Sequence, residues 1–82
     1  MFFVYVLKSS NFQKTYVGMT SDIQKRLLEH NKGRGRFTRL YMPWNIVHAE
    51  EYDSLMEARN RERYLKTSTG RRFLAKNIFI KK

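Results

Sequence analysis

Hydrophobic and aromatic residues fill positions 2–7 without interruption in the segment FFVYVLK (2–8), which Lys8 closes. A continuous β-branched and aromatic run of this length is typical of a strand that is covered on both faces. The polar turn SSNFQ follows, and KTYVG (14–18) is then the predicted hairpin partner, which Gly18 is expected to end. The start of the chain therefore predicts two antiparallel strands.

The hydrophobic period changes to that of a helix after this hairpin. Ser21 and Gln24 have the spacing of a capping box, in which two side chains satisfy backbone N–H groups at the start of a helix. Ile23 and Leu27 mark the apolar stripe of that helix. We expect the helix to end within residues 31–33, where Asn and Gly occur.

The second half of the chain predicts one more strand and a longer helix. GRGRFTR (33–39) indicates a basic loop, and WNIVHAEEY (44–52) has the composition of a third strand. Ser54 and Glu57 repeat the capping-box pattern and predict a helix that extends to about Lys66.

Gly70 is expected to break that helix, and RRFLAKNIF (71–79) is either a last short helix or an extended tail. The predicted order is ββαβαα. It indicates an α+β domain in which a small three-stranded antiparallel sheet is flanked by helices. A chain of 82 residues has the size of one domain, so we expect residues 1–82 to form a single domain.

Composition narrows the setting in which the protein works. The chain contains no cysteine, which excludes a disulfide framework or a thiolate zinc site and fits a reducing cytoplasm. No apolar run approaches the ~20 residues of a membrane span. MFFVYVL is too short for an anchor and lacks the basic leader of a signal peptide. We therefore expect a cytoplasmic protein with no membrane partner.

The charge of the chain points to a polyanionic partner. Seventeen Lys and Arg against seven Asp and Glu give a net charge of +10, and the basic residues concentrate in 25–39 and 59–82. A merely solubilising surface would mix the two signs more evenly. Binding to an anionic membrane would need a strongly amphipathic helix, which the sequence lacks. Nucleic acid is the predicted partner.

One carboxylate interrupts an apolar pattern. Leu55, Ala58 and Leu65 form a stripe on the second predicted helix, and Glu62 falls within it, seven residues after Leu55. A charge that faces a core is costly unless it is paired or bound to a metal. Both explanations are open: an ion pair with one of the arginines, or a metal ligand.

Four other side chains could converge with Glu62. Arg26 and His30 lie one helical turn apart and flank the apolar stripe of the first helix, although such a pair is also common on solvated helix surfaces. Tyr5 and Tyr16 occupy similar places in the two hairpin strands, where ordinary strand tyrosines are also frequent. We expect Glu62 and Arg26 to point into one pocket with both tyrosines.

The spacing of these residues resembles that of the GIY-YIG nuclease superfamily. The matching segments are FVY (3–5), YVG (16–18), Arg26 with His30, HNKG (30–33) and EARNRERYLK (57–66). The chain is most similar to small single-domain members, which are themselves similar to the nuclease module of the bacterial excision-repair incision subunit. Phe3 stands where the family name has its first glycine.

The resemblance implies metal-dependent hydrolysis of phosphodiester bonds. Glu62 would hold one Mg²⁺ or Mn²⁺ ion, because Mg²⁺ keeps most of its waters and needs few protein ligands. Arg26 would hold the phosphate oxygens through its planar fork. Tyr5 and Tyr16 would orient water or act as general base if nearby cations lower their pKa. His30 would relay the proton or contact phosphate.

The resemblance also indicates how nucleic acid is held. Lys14 and the cations of the basic loop are the predicted phosphate contacts: Lys32, Arg34, Arg36 and Arg39. DNA is preferred over RNA as the substrate, and a partner protein could direct the enzyme to it. The alternative is a non-catalytic nucleic-acid-binding module, which would need these cations but neither Glu62 nor a metal.

Overall fold

The computed structural model describes residues 1–78. Its elements are, in chain order, β1 (Phe2–Ser9), β2 (Thr15–Thr20), α1 (Ile23–Asn31), a 3₁₀ helix (Thr38–Tyr41), β3 (Trp44–Tyr52), α2 (Leu55–Leu65) and α3 (Ser68–Asn77). The three strands form one antiparallel sheet in the order β2-β1-β3. The predicted α+β fold is confirmed, and the 3₁₀ helix is an addition within the predicted basic loop.

Strand β1 lies at the centre of the sheet and is covered on both faces, as its apolar run predicts. On one face Val4 and Val6 pack in a cluster with Ala58 and Leu65 of α2 and with Leu74 of α3. The burial of these side chains stabilises the contact between the sheet and the two C-terminal helices.

The opposite face of β1 carries a second cluster. Tyr5 and Leu7 pack against Trp44, with Leu27 of α1 at its edge. Helices α1 and α2 therefore lie on opposite faces of the sheet. No helix in residues 1–78 has the length and apolar character needed to cross a bilayer.

The structure corrects the predicted N-cap of α1 and confirms the predicted N-cap of α2. Asp22, not Ser21, is the N-cap of α1, and its side chain accepts a hydrogen bond from the Lys25 N–H at 3.1 Å. Ser54 caps α2 as predicted, since its hydroxyl accepts from the Glu57 N–H at 3.1 Å. In α1 the short Asp22 carboxylate reaches the Lys25 N–H as well as a serine hydroxyl would. The capping box was therefore assigned one residue early in α1.

Glycine 70 does not break a helix but lies inside α3, which begins after the N-cap Thr67. A Cβ at this position would come within 2.5 Å of the Leu65 Cα and even closer to the Tyr64 carbonyl oxygen. Gly70 thus allows α3 to pack against the end of α2. Residues 71–77 belong to α3 rather than an extended tail, Ile78 is the C-cap of that helix, and Phe79 lies outside the described residues.

A half-buried ion pair connects β3 to α2. The Glu50 carboxylate accepts hydrogen bonds from Arg61 at 2.9 and 3.1 Å and from the Tyr52 hydroxyl at 2.6 Å, and it lies 2.7 Å from His48 Nε2. Burial alone would raise the pKa of Glu50, but these hydrogen bonds outweigh it and lower the pKa from 4.5 to about 2. The charged form of Glu50 therefore stabilises the fold.

This pair predicts a loss of stability in acid. Because the pKa of Glu50 is lower in the folded state, its contribution is complete above about pH 4.5 and disappears as the pH falls towards 2. We expect the difference in unfolding free energy between wild type and Glu50→Gln to shrink by about 3 kcal/mol across that range. Chemical denaturation at several pH values measures it.

The matched control is Glu51→Gln, which removes an exposed carboxylate from the same strand. Its difference from wild type should change much less with pH. A difference for Glu50→Gln that is the same at pH 2.5 and pH 6 would contradict the stabilising role of the charged carboxylate.

Candidate active site

The hairpin brings Tyr5 and Tyr16 together, as the sequence predicts. Tyr5 is paired with Gly18 in the sheet register, and the two tyrosine ring centroids are 6.3 Å apart. Strand β2 continues to Thr20, so Gly18 does not end it. A Cβ on Gly18 would lie 2.4 Å from the Tyr5 hydroxyl. The glycine is needed because the Tyr5 side chain lies directly over it.

A buried chain of hydrogen bonds extends from Tyr5. Its hydroxyl and His30 Nε2 are 3.0 Å apart, and His30 Nδ1 lies 2.8 Å from the Thr38 hydroxyl oxygen. Both His30 and Thr38 are 1% exposed. His30 is thus fixed between two hydroxyl groups and has no surface for direct phosphate contact. Of its two predicted roles, the geometry favours the proton relay.

Burial sets the protonation of this chain. Burial of Tyr5 raises its pKa from 10 to about 12, with a smaller opposing effect from the nearby Arg26 guanidinium. Burial lowers the pKa of His30, and the Arg26 charge lowers it further. At neutral pH Tyr5 is protonated and His30 is neutral. Desolvation outweighs the Arg26 charge, so in the protein alone the condition under which Tyr5 would act as general base, a lowered pKa, is not met.

Arg26 lies next to the Tyr5–His30–Thr38 chain and is partly exposed to solvent. Its guanidinium Nη1 donates a hydrogen bond of 2.9 Å to Glu29, and its side chain remains 40% exposed. The hydrogen bond from Arg26 also lowers the pKa of Glu29, so the carboxylate stays charged. Glu29 holds one guanidinium nitrogen and leaves other N–H groups available to a ligand.

A cleft of about 260 Å³ opens beside Arg26. The residues that line it are Tyr16, Arg26, His30, Gly35, Arg36, Phe37 and Thr38. The cleft combines two guanidinium groups with a partly exposed phenol. Positive charge and hydrogen-bond donors of this kind are suited to an anion such as a phosphate.

A larger cleft of about 490 Å³ lies on the other side of Tyr16. It is bounded by β2 and the α2–α3 junction, and its lining residues are Thr15, Tyr16, Val17, Leu65, Lys66, Arg71 and Leu74. It contains neither Arg26 nor His30. We therefore place the candidate active site in the smaller cleft, where the predicted site residues lie.

Glu62 is not among the residues that line the Arg26 cleft. It belongs to α2 on the opposite face of the sheet, its side chain is 22% exposed, and Lys66 Nζ donates to its carboxylate at 3.0 Å. Its charge nevertheless raises the pKa of Tyr5, whose hydroxyl lies over the edge strand β2. Glu62 and Arg26 thus belong to helices on opposite faces of the sheet, and Glu62 does not share the cleft that Arg26 lines, as the sequence had predicted it would.

The apolar stripe used to identify Glu62 is also incomplete. Ala58 and Leu65 are buried, but Leu55 is exposed. The ion pair that the sequence left open as the explanation for Glu62 is present, with Lys66 as the partner instead of an arginine.

The predicted nucleic-acid contacts are all exposed cations. Arg36 lines the cleft itself, and the other cations of the loop are exposed: Lys32, Arg34 and Arg39. Lys14 is exposed as well, and its Nζ lies 5.2 Å from the centre of the Tyr41 ring. These side chains form a positively charged rim.

Two residues of the site were missed in the sequence. Thr38 completes the hydrogen-bond chain of His30, and its carbonyl accepts from the Trp44 indole N–H at 2.7 Å. Glu29 positions Arg26. The Glu29 pairing could have been found from its i,i+3 spacing to Arg26, but no local pattern marks the contact between Thr38 and His30.

A Mg²⁺ ion would have to be held by very few protein ligands. Residues 1–78 contain no cluster of three or more His, Asp or Glu side chains that could hold a metal alone. Glu62 is the carboxylate that the sequence predicts as a metal ligand, and Mg²⁺ accepts a single protein carboxylate when phosphate and water supply the other ligands. Lys66 would have to release Glu62 for that purpose.

The fold and site together define a class of protein. Two tyrosines on adjacent antiparallel strands, followed by an arginine and a histidine on the next helix, are the arrangement that the sequence resemblance predicted. The family model described as the GIY-YIG catalytic domain matches residues 1–76, and the chain therefore belongs to this nuclease family. The family prediction is confirmed.

The relatives that match the chain are similar over most of its length. A UPF0213 protein of Halobacterium salinarum is 42% identical over 67 residues, which cover 80% of this chain and 86% of that protein. A UPF0213 protein of Bacillus velezensis is 39% identical over 85% of this chain and 71% of its own length. One from Staphylococcus aureus is 36% identical over 88% of each. No solved structure matches the chain.

The contact between Gly18 and Tyr5 predicts the effect of Gly18→Ala. The added methyl group would displace the Tyr5 hydroxyl from His30, so we expect the unfolding free energy to fall by about 1–3 kcal/mol. Chemical denaturation measures this loss. In a Tyr5→Leu background, which lacks both the hydroxyl and the ring carbon Cζ that the methyl group would meet at 2.6 Å, the same substitution should cost less, with a coupling energy of about 0.5–3 kcal/mol. An equal cost in both backgrounds would contradict the role assigned to Gly18.

Proposed function

We propose that this protein is a metal-dependent endonuclease that hydrolyses phosphodiester bonds of nucleic acid, with DNA as its substrate. The observation that carries the proposal is the cleft in which Arg26 and Tyr16 open to solvent above the buried Tyr5–His30–Thr38 chain. Membership of a nuclease family and a net charge of +10 support the same function.

Arg26 is the proposed phosphate ligand. The Nη1 atom is held by Glu29, so the guanidinium is already oriented before substrate binds. Its remaining N–H groups match the oxygens of a phosphate and stabilise the negative charge that develops in the transition state.

Tyr16 and Tyr5 have different proposed roles because their surroundings differ. Tyr16 is partly exposed and lines the cleft, so its hydroxyl can orient the attacking water. Tyr5 is buried, and a pKa of about 12 keeps it protonated, so it acts as a hydrogen-bond donor rather than a base. Neutral His30 fixes the Tyr5 hydroxyl, and the Thr38 hydroxyl in turn holds the second ring nitrogen of His30.

Glu62 is the proposed ligand of one Mg²⁺ or Mn²⁺ ion. A bound divalent ion supplies neutralisation of the charge on the scissile phosphate and the leaving oxygen. Glu62 itself has to leave Lys66, whose Nζ is 3.0 Å away, and this exchange is consistent with metal binding that depends on substrate.

The exposed cations of the rim are the proposed contacts to the flanking phosphates. Lys14, Lys32, Arg34, Arg36 and Arg39 would provide affinity without reading the base sequence. A targeting partner protein would then supply specificity.

A non-catalytic nucleic-acid-binding module is the second candidate. The ion pair between Glu62 and Lys66, on the opposite face from α1, favours it because the proposed metal ligand is already occupied by a cation. The two candidates differ in whether bonds are broken and whether Glu62 matters.

Cleavage assays on Glu62→Gln decide between them. We expect wild type to cut labelled DNA in magnesium but not with chelator, and Glu62→Gln to lose activity by roughly 10² or more because the metal ligand is gone. The control is Glu51→Gln, which should cut like wild type. A panel of DNA and RNA duplexes, branches and single strands identifies the substrate. Binding to DNA without cleavage of any member would support the binding module.

Arg26→Ala should separate catalysis from binding. Because many other cations remain, we expect affinity for DNA close to wild type, while the cleavage rate falls by roughly 10² or more. Arg26→Lys should restore little, since a point charge cannot replace the planar fork. Arg34→Ala is the control for an ordinary phosphate contact. Equal, proportional losses of affinity and activity in Arg26→Ala and Arg34→Ala would contradict the catalytic role.

A further inference from the structure

Four aromatic side chains form a continuous row that starts in the candidate active site. The rings of Tyr16 and Phe37 are 6.2 Å apart with planes inclined by only 24°, Phe37 and Tyr41 are 5.1 Å apart, and Tyr41 and Phe12 are 5.4 Å apart. We call Tyr16, Phe37, Tyr41 and Phe12 the aromatic row. It leads from the cleft of Arg26 to the β1–β2 turn.

The row presents apolar surface to solvent that the core does not use. Phe37 is 40% exposed and Phe12 is 47% exposed, and neither belongs to the two buried clusters of the sheet. The Phe37 ring packs against the buried Trp44, with ring centroids 6.2 Å apart, and this contact fixes the position of Phe37. Two phenylalanines held at the surface beside a polar cleft indicate a binding surface.

The surroundings of the row are positively charged. Lys14 Nζ lies 5.2 Å from the Tyr41 ring centre, and Arg36 lines the cleft next to Phe37. The two segments that carry the row, residues 9–20 and 31–49, contain no Asp or Glu. A partner for this surface must therefore combine flat apolar groups with negative charge.

Unpaired nucleotides have this combination of properties. An unpaired base has free faces that stack on aromatic rings, and its phosphate pairs with Lys or Arg, whereas the bases of a duplex are already stacked on each other. An anionic membrane has no flat groups to stack.

We propose that the aromatic row binds unpaired nucleotides of the substrate strand next to the phosphate held by Arg26, with the first base against Phe37. The inference rests on the proposed function and specifies its substrate class: nucleic acid with a single-stranded segment at the cleavage site, such as a flap, a branch or a strand end. Tyr16 and Phe37 line the same cleft as Arg26, so the row is continuous with the site.

Binding measured in chelator tests the proposal without any need for cleavage. The probes are a fluorescent oligothymidylate and a duplex of the same length and labelling, followed by anisotropy at several salt concentrations. Phe37→Leu keeps an apolar side chain of similar size but removes the ring. We expect it to weaken binding to the single strand by about 5- to 150-fold, and binding to the duplex by no more than about twofold.

Two further readouts distinguish stacking from a general loss of affinity. The slope of log affinity against log salt should be unchanged in Phe37→Leu, because no charge has been removed. Phe37→Tyr should restore binding to the single strand, because it restores the ring. The matched control is Leu40→Ala, a 60% exposed apolar residue of the neighbouring 3₁₀ helix, which should bind both probes like wild type.

Folding and self-association are checked on the same samples. If Phe37→Leu melts well below wild type, Phe12→Leu, in the β1–β2 turn, takes its place and should show a smaller loss for the single strand only. Equal losses for single strand and duplex, or no loss for either, would overturn the proposal. A wild-type dimer that Phe37→Leu converts to a monomer, with binding of the single strand unchanged, would overturn it too and assign the row to a second copy of the chain.

Failure of this inference can be told apart from failure of the proposed function. Magnesium-dependent cleavage by wild type with an unchanged single-strand affinity in Phe37→Leu would reject the stacking surface and keep the nuclease. A selective loss in Phe37→Leu without cleavage of any substrate would keep the stacking surface and reject the nuclease.

Discussion

The buried hydrogen bond between Tyr5 and His30 is the constraint on which the rest of the site depends. It joins the central strand to α1 at 3.0 Å, and the bond from His30 to Thr38 extends the connection to the segment after α1. A buried polar chain of this kind is stable only when every member has a partner. The positions of Arg26 and of the segment 34–38 around the cleft follow from it.

In this arrangement the buried groups are neutral, and the exposed groups carry the charge. Desolvation keeps Tyr5 protonated and His30 neutral, so neither adds charge to the interior. The permanent charge is carried by the guanidinium groups of Arg26 and Arg36, which remain open to a ligand. The hydrogen-bond chain thus holds Tyr5 and His30 neutral and fixed beneath the two guanidinium groups.

The edge strand β2 makes this site accessible from two sides. Gly18 has no side chain above the sheet, so the Tyr5 hydroxyl crosses the strand and comes under the influence of both α1 and α2. Tyr16, on the same strand, lines a cleft on each side. Side chains from helices on opposite faces of the sheet can therefore act on one buried phenol, although they share no pocket.

The sequence by itself determined the three strands, the first two α-helices and the family motif that contains Tyr5, Tyr16, Arg26 and His30. The strand 44–52 and the capping box of Ser54 and Glu57 are encoded by neighbouring residues, which is why hydrophobic period and spacing predict them. Only the tertiary structure decided that His30 is buried, that Thr38 holds it, that the pKa of Tyr5 rises and that Lys66 pairs with Glu62 on the far side of the sheet. Most of these properties depend on desolvation and on contacts between residues far apart in the chain, and no local pattern records either of them.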